Sequence, residues 1–245
     1  MGLYDYVPSF AGAVTFAVLF SLTTVVHAAQ LWRSRAGFLI PFLVGGLFEV
    51  FGYITRAFSA HQAPNYASAP AIAQTLLILV APSLFAASIY MVFGRIIVWS
   101  EGELLPLFGP AGLPKCFSSV ILSLFCSRGC FTSGERLIKI GLVMQVIFFG
   151  LFLFCAAFFH FRIRRHIATH KPSYATPWQS HLLVLYIASV MVFVRSSFRL
   201  AEYVGGQGDV LLQHEYYIWI FDTTLMSLTM LLFNVFYPLT YICWS

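Results

Sequence analysis

Charge is what this sequence has least of. Asp, Glu, Lys and Arg together make up 9% of its 245 residues, while 60% are hydrophobic. A soluble domain carries roughly 25% charged residues, and a water-soluble fold of this make-up would have no polar surface to present. A sizeable soluble domain is therefore excluded. The five cysteines, Cys116, Cys126, Cys130, Cys155 and Cys243, are an odd number with no CxxC pair, which points to neither a zinc site nor a complete disulfide framework. They read as small apolar packing residues. Met1 to Ser9 holds Asp5 and no Lys or Arg, so the basic n-region of a cleavable signal peptide is lacking. Tyr6 stands where a myristoylation signal needs Ser or Thr, and the first apolar run is expected to serve as its own targeting signal.

Further absences remove whole classes of function. The lysines are Lys115, Lys139 and Lys171, none of them in the last apolar run, which excludes a retinal Schiff base there. Residues 234–238 read NVFYP, without the NPxxY order of common G-protein-coupled receptors. No phosphate-binding loop for ATP and no nucleic-acid motif occurs. There is no repeat period and no low-complexity tract.

What is present is a series of apolar runs, each near the 20 or so residues that cross a hydrocarbon core. Clear spans fall at 10–31, 37–58, 71–98, 136–161, 180–203 and 216–242. A seventh, 116–132, is weak, being short, rich in Ser and Cys, and interrupted by Arg128. Charge bias argues for it. The basic loops holding Arg33 and Arg35, and Arg162, Arg164, Arg165 and Lys171, should both face the cytoplasm. An even number of crossings must then separate them, and the clear spans between supply three. The expected fold is a single all-α transmembrane bundle over 1–245 with seven spans, the N-terminus outside and the C-terminus inside. The net charge of +5 comes largely from loops beside the spans and suits anionic lipid headgroups better than nucleic acid. Pro82 and Pro238 predict kinks, because each removes a helix hydrogen bond.

Ionisable residues inside a membrane are costly, by at least about 2.5 kcal/mol at the bilayer centre, and mark candidate sites. Glu49 and Arg56 lie two turns apart on one face of the second span, and Arg195, Arg199 and Glu202 share a face of the sixth. Glu215 begins the last span and Asp222 lies two turns inside it. Arg56, Arg199, Glu202, Glu215 and Asp222 fall in the outer half of the membrane on three helices and could form one cluster, with Glu49 deeper than Arg56. Acids and arginines nearly balance, so the set either neutralises itself as interhelical ion pairs or receives a zwitterionic or amine-bearing headgroup. His27 reads as a histidine bonded to a backbone carbonyl, and Gln74 and Gln145 as interhelical hydrogen-bonding residues. His166 and His170 stand at helical spacing without the carboxylate of a hydrolytic zinc site, so no metal and no cofactor is expected.

Several segments carry a resemblance: YVPS (6–9), GYITR (52–56), APSLFAASIYMVFGRI (81–96), GLVMQ (141–145), RSSFRLAEYVGGQG (195–208) and HEYYIWIFDTTLM (214–226). In this order the chain resembles the fungal lipid-translocating exporters, the seven-span "resistance to aminocholesterol" proteins. The resemblance implies a multi-pass protein of the plasma membrane or an endomembrane. It further implies movement or export of amphipathic lipids such as sphingoid bases, and tolerance of toxic sterol-like compounds. Residues 117–134 depart from the family pattern, lacking its Asp and Gln, and the chain stops shortly after the last span. The expected partners are membrane lipids and an amphipathic lipid substrate. Glu49, Glu202 and Asp222 would meet an amine, and Arg56, Arg195 and Arg199 phosphate or hydroxyls. A lipid receptor or sensor is the second reading. A lipid-modifying enzyme is the third, because no nucleophile, base and metal converge.

Overall fold

The computed structural model describes residues 9–61, 68–99, 134–169, 178–205 and 215–237, and the regular structure among them is helical throughout. In hydrocarbon a backbone must satisfy its own N–H and C=O groups, which a helix does within one segment. The helices are α1 (Phe10–Ser34), α2 (Ile40–His61), α3 (Ser68–Trp99), α4 (Gly134–Thr169) and α5 (Trp178–Gly205). The last apolar stretch is built in three pieces: α6 (Glu215–Ile218), a π-helical turn (Trp219–Thr224) and α7 (Leu225–Val235). Among the described residues six helices are long and apolar enough to cross a membrane. They coincide with the six clear runs of the sequence to within a few residues, save that the last ends its helix at Val235. The weak run at 116–132 and Pro238 lie outside the described residues. The chain is an integral, multi-pass membrane protein.

Local signals start and stop these helices. The Ser9 hydroxyl accepts from the Gly12 amide at 3.3 Å and caps α1. At the other end Arg35 turns into the left-handed region (φ 52°) and its amide bonds the Leu31 carbonyl, and a single 3-10 turn (Gly37–Leu39) leads into α2. Large apolar side chains such as Val25, Trp32, Phe154, Phe161 and Val235 stay exposed around the bundle, as a lipid-facing surface requires. Inside, α2 packs closely on α3. A Cβ on Gly45 would come within 2.8 Å of the Phe85 ring, and one on Gly52 within 2.6 Å of Ile78 Cγ1, so small residues set this approach.

Helix directions follow from the pairs in contact. Phe20 stacks on Tyr53 and His27 lies against Phe42, so α1 and α2 are antiparallel. Gln145 on α4 meets Ser83 on α3, and Phe152 meets Tyr90 and Phe93, so α3 and α4 run parallel. α5 opposes α4, with Gln145 at Ser196 and Tyr186 at Ala156. The last span runs with α1, from Phe16 on Trp219 to Ser34 on Tyr237. The bundle therefore has one end holding the start of α1 and the end of α2, and another holding the end of α1 and the end of α3.

Candidate functional site

α2 carries Glu49 and Arg56, α5 carries Arg195, Arg199 and Glu202, and the π turn carries Asp222. The i, i+4, i+7 spacing on α5 turns its three charges toward one side. Asp222 receives both arginines: Arg195 Nε stands 2.6 Å from its Oδ1, and Arg199 Nη2 donates to its Oδ2. Arg199 Nη1 also donates to Glu202 Oε2 at 3.0 Å. Arg195 and Asp222 are 0% and 1% exposed, against 12% and 10% for Arg199 and Glu202. The set is thus sealed at its inner pair and reaches outward at the second.

Arg195 has another partner that the sequence conceals. Pro82 has no N–H, so the carbonyl four residues earlier, that of Ile78, loses its helical donor. Arg195 Nη2 donates to this carbonyl at 2.6 Å. The guanidinium thereby replaces the missing backbone N–H of α3 and joins it to the π turn through Asp222. The π turn has its own irregular backbone: the wider winding lets the Thr223 and Thr224 hydroxyls donate to carbonyls five residues back, at 3.4 and 2.7 Å. Tyr53 of α2 closes on the same turn, its hydroxyl 2.5 Å from Thr223 Oγ1.

Glu49 and Arg56 are both buried. Glu49 lies in electrostatic range of Arg195, Arg199 and Asp222, yet its Oε1 has no hydrogen-bond partner. The Arg56 guanidinium sits 5.0 Å from the Trp219 ring centre, a cation–π contact with the π turn. The structure thus brings Arg195, Arg199, Glu202 and Asp222 into direct contact and sets Glu49 and Arg56 beside them. The side chain of Glu215 lies outside what the structure describes.

Two uncharged polar groups complete the interior. Gln145 donates to Ser196 Oγ at 3.0 Å and accepts from Ser83 at 3.5 Å, linking α4, α5 and α3 as an interhelical residue should. Gln74 is buried as well. At the opposite end His27 Nδ1 stands 3.1 Å from Asn234 Oδ1, so its partner is a side-chain amide and not the backbone carbonyl expected. Asn234 in turn donates to the Thr23 carbonyl and accepts from Gln30 on its own carbonyl, both at 2.9 Å. Among the described residues no His, Cys, Asp or Glu cluster could hold a metal ion. Cys155 is a free thiol, and the other cysteines lie outside the described residues.

The sequence pattern of the RTA1 like protein family matches residues 42–244. The chain belongs to this family. RTA1-like relatives include Protein RTM1 of Saccharomyces cerevisiae, 30% identical over 95% of this chain and 90% of the relative. Protoporphyrin uptake protein 1 of the same yeast is 30% identical over 95% of this chain and 91% of its own length. The sphingoid long-chain base transporter RSB1 is 26% identical over 95% and 72%. No solved structure matches. The names of these RTA1-like relatives point to transport rather than catalysis, and the charged set described above lies wholly within the matched region.

Proposed function

We propose that this RTA1-like protein translocates or exports amphipathic lipids of the sphingoid-base or sterol type, and so contributes to tolerance of toxic lipids. The observation that carries the reading is the buried, charge-matched set on α2, α5 and the π turn, which opens outward at Arg199 and Glu202. A lipid headgroup arriving there meets an acid and a guanidinium already paired. An amine exchanges onto Glu202 and a phosphate or hydroxyl onto Arg199, whose Nε is buried with no acceptor. Asp222 is bound by two arginines, so it serves to hold Arg199 and not to meet the headgroup itself. The lipid tail stays against the apolar outer faces of the helices.

The single bundle has seven spans in this reading, with the N-terminus outside. Two directions support the odd count: α3 and α4 run parallel, and so do α1 and the last span. A chain that leaves α3 at one end and enters α4 at the other crosses the membrane between them. Arg33 and Arg35 at the end of α1 mark that end as cytoplasmic by the positive-inside rule. The charged set then lies toward the outer leaflet.

Purified protein in phosphatidylcholine vesicles with a fluorescent sphingoid base provides the test. Leaflet exchange should exceed that of protein-free vesicles and fall at least tenfold in Arg199→Gln, with helix content and melting retained. Exchange no faster than in empty vesicles, with saturable binding kept, refutes translocation and leaves a lipid sensor. Chemical conversion of the lipid, read by mass spectrometry, refutes it in favour of an enzyme.

A further inference from the structure

We propose that Glu49 is a proton-binding site, loaded and emptied as the protein moves its lipid. The inference rests on the translocation reading above and adds to it the ion that drives or accompanies the movement.

Three acids and three arginines make up the charged set, and among the described residues Arg195 and Arg199 make ion pairs with Asp222 and Glu202. Glu49 is buried to the same degree as Asp222, and its Oε1 has no donor. An ionised carboxylate in that position is an uncompensated anion in a low-dielectric interior, whereas a proton on Oε1 removes the charge. Among the described residues the ionisable groups in range are Arg195 and Arg199 of α5 and Asp222 of the π turn, and Glu202 of α5 is paired with Arg199. Tyr53 and Arg56 stand on its own helix, Tyr53 with its hydroxyl at Thr223 and Arg56 over the Trp219 ring. Of the described ionisable residues on α1 and α3, His27 lies against Phe42, Tyr90 against Phe152 and Arg95 over Phe38.

The counterpart is Arg195. Its Nη1 is buried with no acceptor, while Nη2 and Nε hold Ile78 and Asp222. With Glu49 protonated, Arg195 stays on those two partners. When the Oε1–H bond breaks and the proton leaves to water at one face, the new anion draws Arg195 Nη1 toward α2 and loosens its hold on the Ile78 carbonyl. Reprotonation from water at the other face restores the first arrangement. The guanidinium thus has two sets of partners, and the proton on Glu49 selects between them.

Two measurements decide the matter. Infrared difference spectra of the purified protein, titrated from acid to alkaline pH, should contain a carboxylic-acid C=O band that vanishes in Glu49→Gln and shifts in Glu49→Asp. Melting curves show that both variants fold. A spectrum in Glu49→Gln identical to wild type overturns the proposal. In vesicles enclosing a pH dye, movement of a fluorescent long-chain base should be accompanied by proton flux, and in Glu49→Gln the protons per residual lipid moved should drop to background. Lipid movement by wild type with no proton flux overturns the coupling while the translocation reading stands. Absence of lipid movement by wild type refutes translocation and the coupling with it, and the infrared band still decides whether Glu49 binds a proton.

Discussion

Replacing Arg195 by Met should expose how far one side chain stands in for a backbone amide. The change removes a guanidinium that is fully buried and holds both Asp222 and the Ile78 carbonyl. Breaking a buried ion pair from one side costs about 3–5 kcal/mol, here lessened because Arg199 still holds Asp222. The carbonyl contributes a separate amount. Hydrogen bonds between membrane helices average about 0.6 and reach about 1.7 kcal/mol, so Ile78 accounts for roughly 1 kcal/mol of the loss. That part is testable, because Pro82→Ala returns an N–H to α3 at the position that should bond Ile78. In the wild-type background the carbonyl is already satisfied, and Pro82→Ala gains mainly from relief of the proline clash. In the Arg195→Met background it gains that and the missing hydrogen bond. Unfolding by SDS titration of the four proteins should therefore give a double variant more stable than the summed single effects by roughly 1 kcal/mol. Strict additivity would refute the claim that Arg195 replaces the amide that proline lacks.

The remaining predictions concern packing and the uncharged contacts. Gly52→Ala, whose Cβ would stand 2.6 Å from Ile78 Cγ1, should cost about 1–3 kcal/mol by overpacking. Gly150→Ala, whose nearest atom is 3.8 Å away on Phe193, should leave the melting temperature unchanged, and equal effects of the two would refute the close approach of α2 to α3. Asn234→Leu removes the partner of His27 and the donor to the Thr23 carbonyl, and a loss of about 1–2 kcal/mol is expected in the same SDS titration. Gln145→Leu unties Ser83 and Ser196 and should cost about 1 kcal/mol, with Gln145→Glu costing more because it buries a charge.

The apolar runs made the six clear spans legible, since length and composition alone define a helix that water cannot reach. The contacts between helices were legible only in part. Helical spacing put Arg195, Arg199 and Glu202 on one face and left open a cluster with Asp222 on another helix, and the structure brings these four side chains into contact. Spacing within one helix says nothing of rotation against another, so the arginines that pair with Asp222 could not be named from it, and the backbone carbonyl expected for His27 gave way to the Asn234 side chain. The π turn was invisible for a related reason. WIFDTT is compatible with regular helix, and its wider winding accompanies contacts made by Tyr53 and the two threonine hydroxyls. Pro82 did carry a signal, because a proline names the carbonyl it orphans four residues back. The donor that answers it, 117 residues away, carries none.

That pairing gives the charged set a role apart from neutralising itself. A proline-interrupted α3 and a π turn in the last span are the two places in the described bundle where the regular helical ladder is broken, and a helix bends most readily where its ladder is incomplete. Arg195 ties these two places together through one guanidinium. Anything that changes the charge beside Arg195 therefore acts on both at once, and the headgroup contact proposed at Arg199 and Glu202 is linked to the same carboxylate, Asp222. A lipid exchanging onto the Arg199–Glu202 pair, as proposed, would weaken one of the two hands holding Asp222 and leave Arg195 to carry the acid alone. On the proposed reading the shared carboxylate would couple headgroup binding to the bending of α3, so Pro82→Ala, which frees α3 from its need of Arg195, should slow lipid translocation while raising stability. Faster or unchanged translocation in that variant would place the moving parts elsewhere.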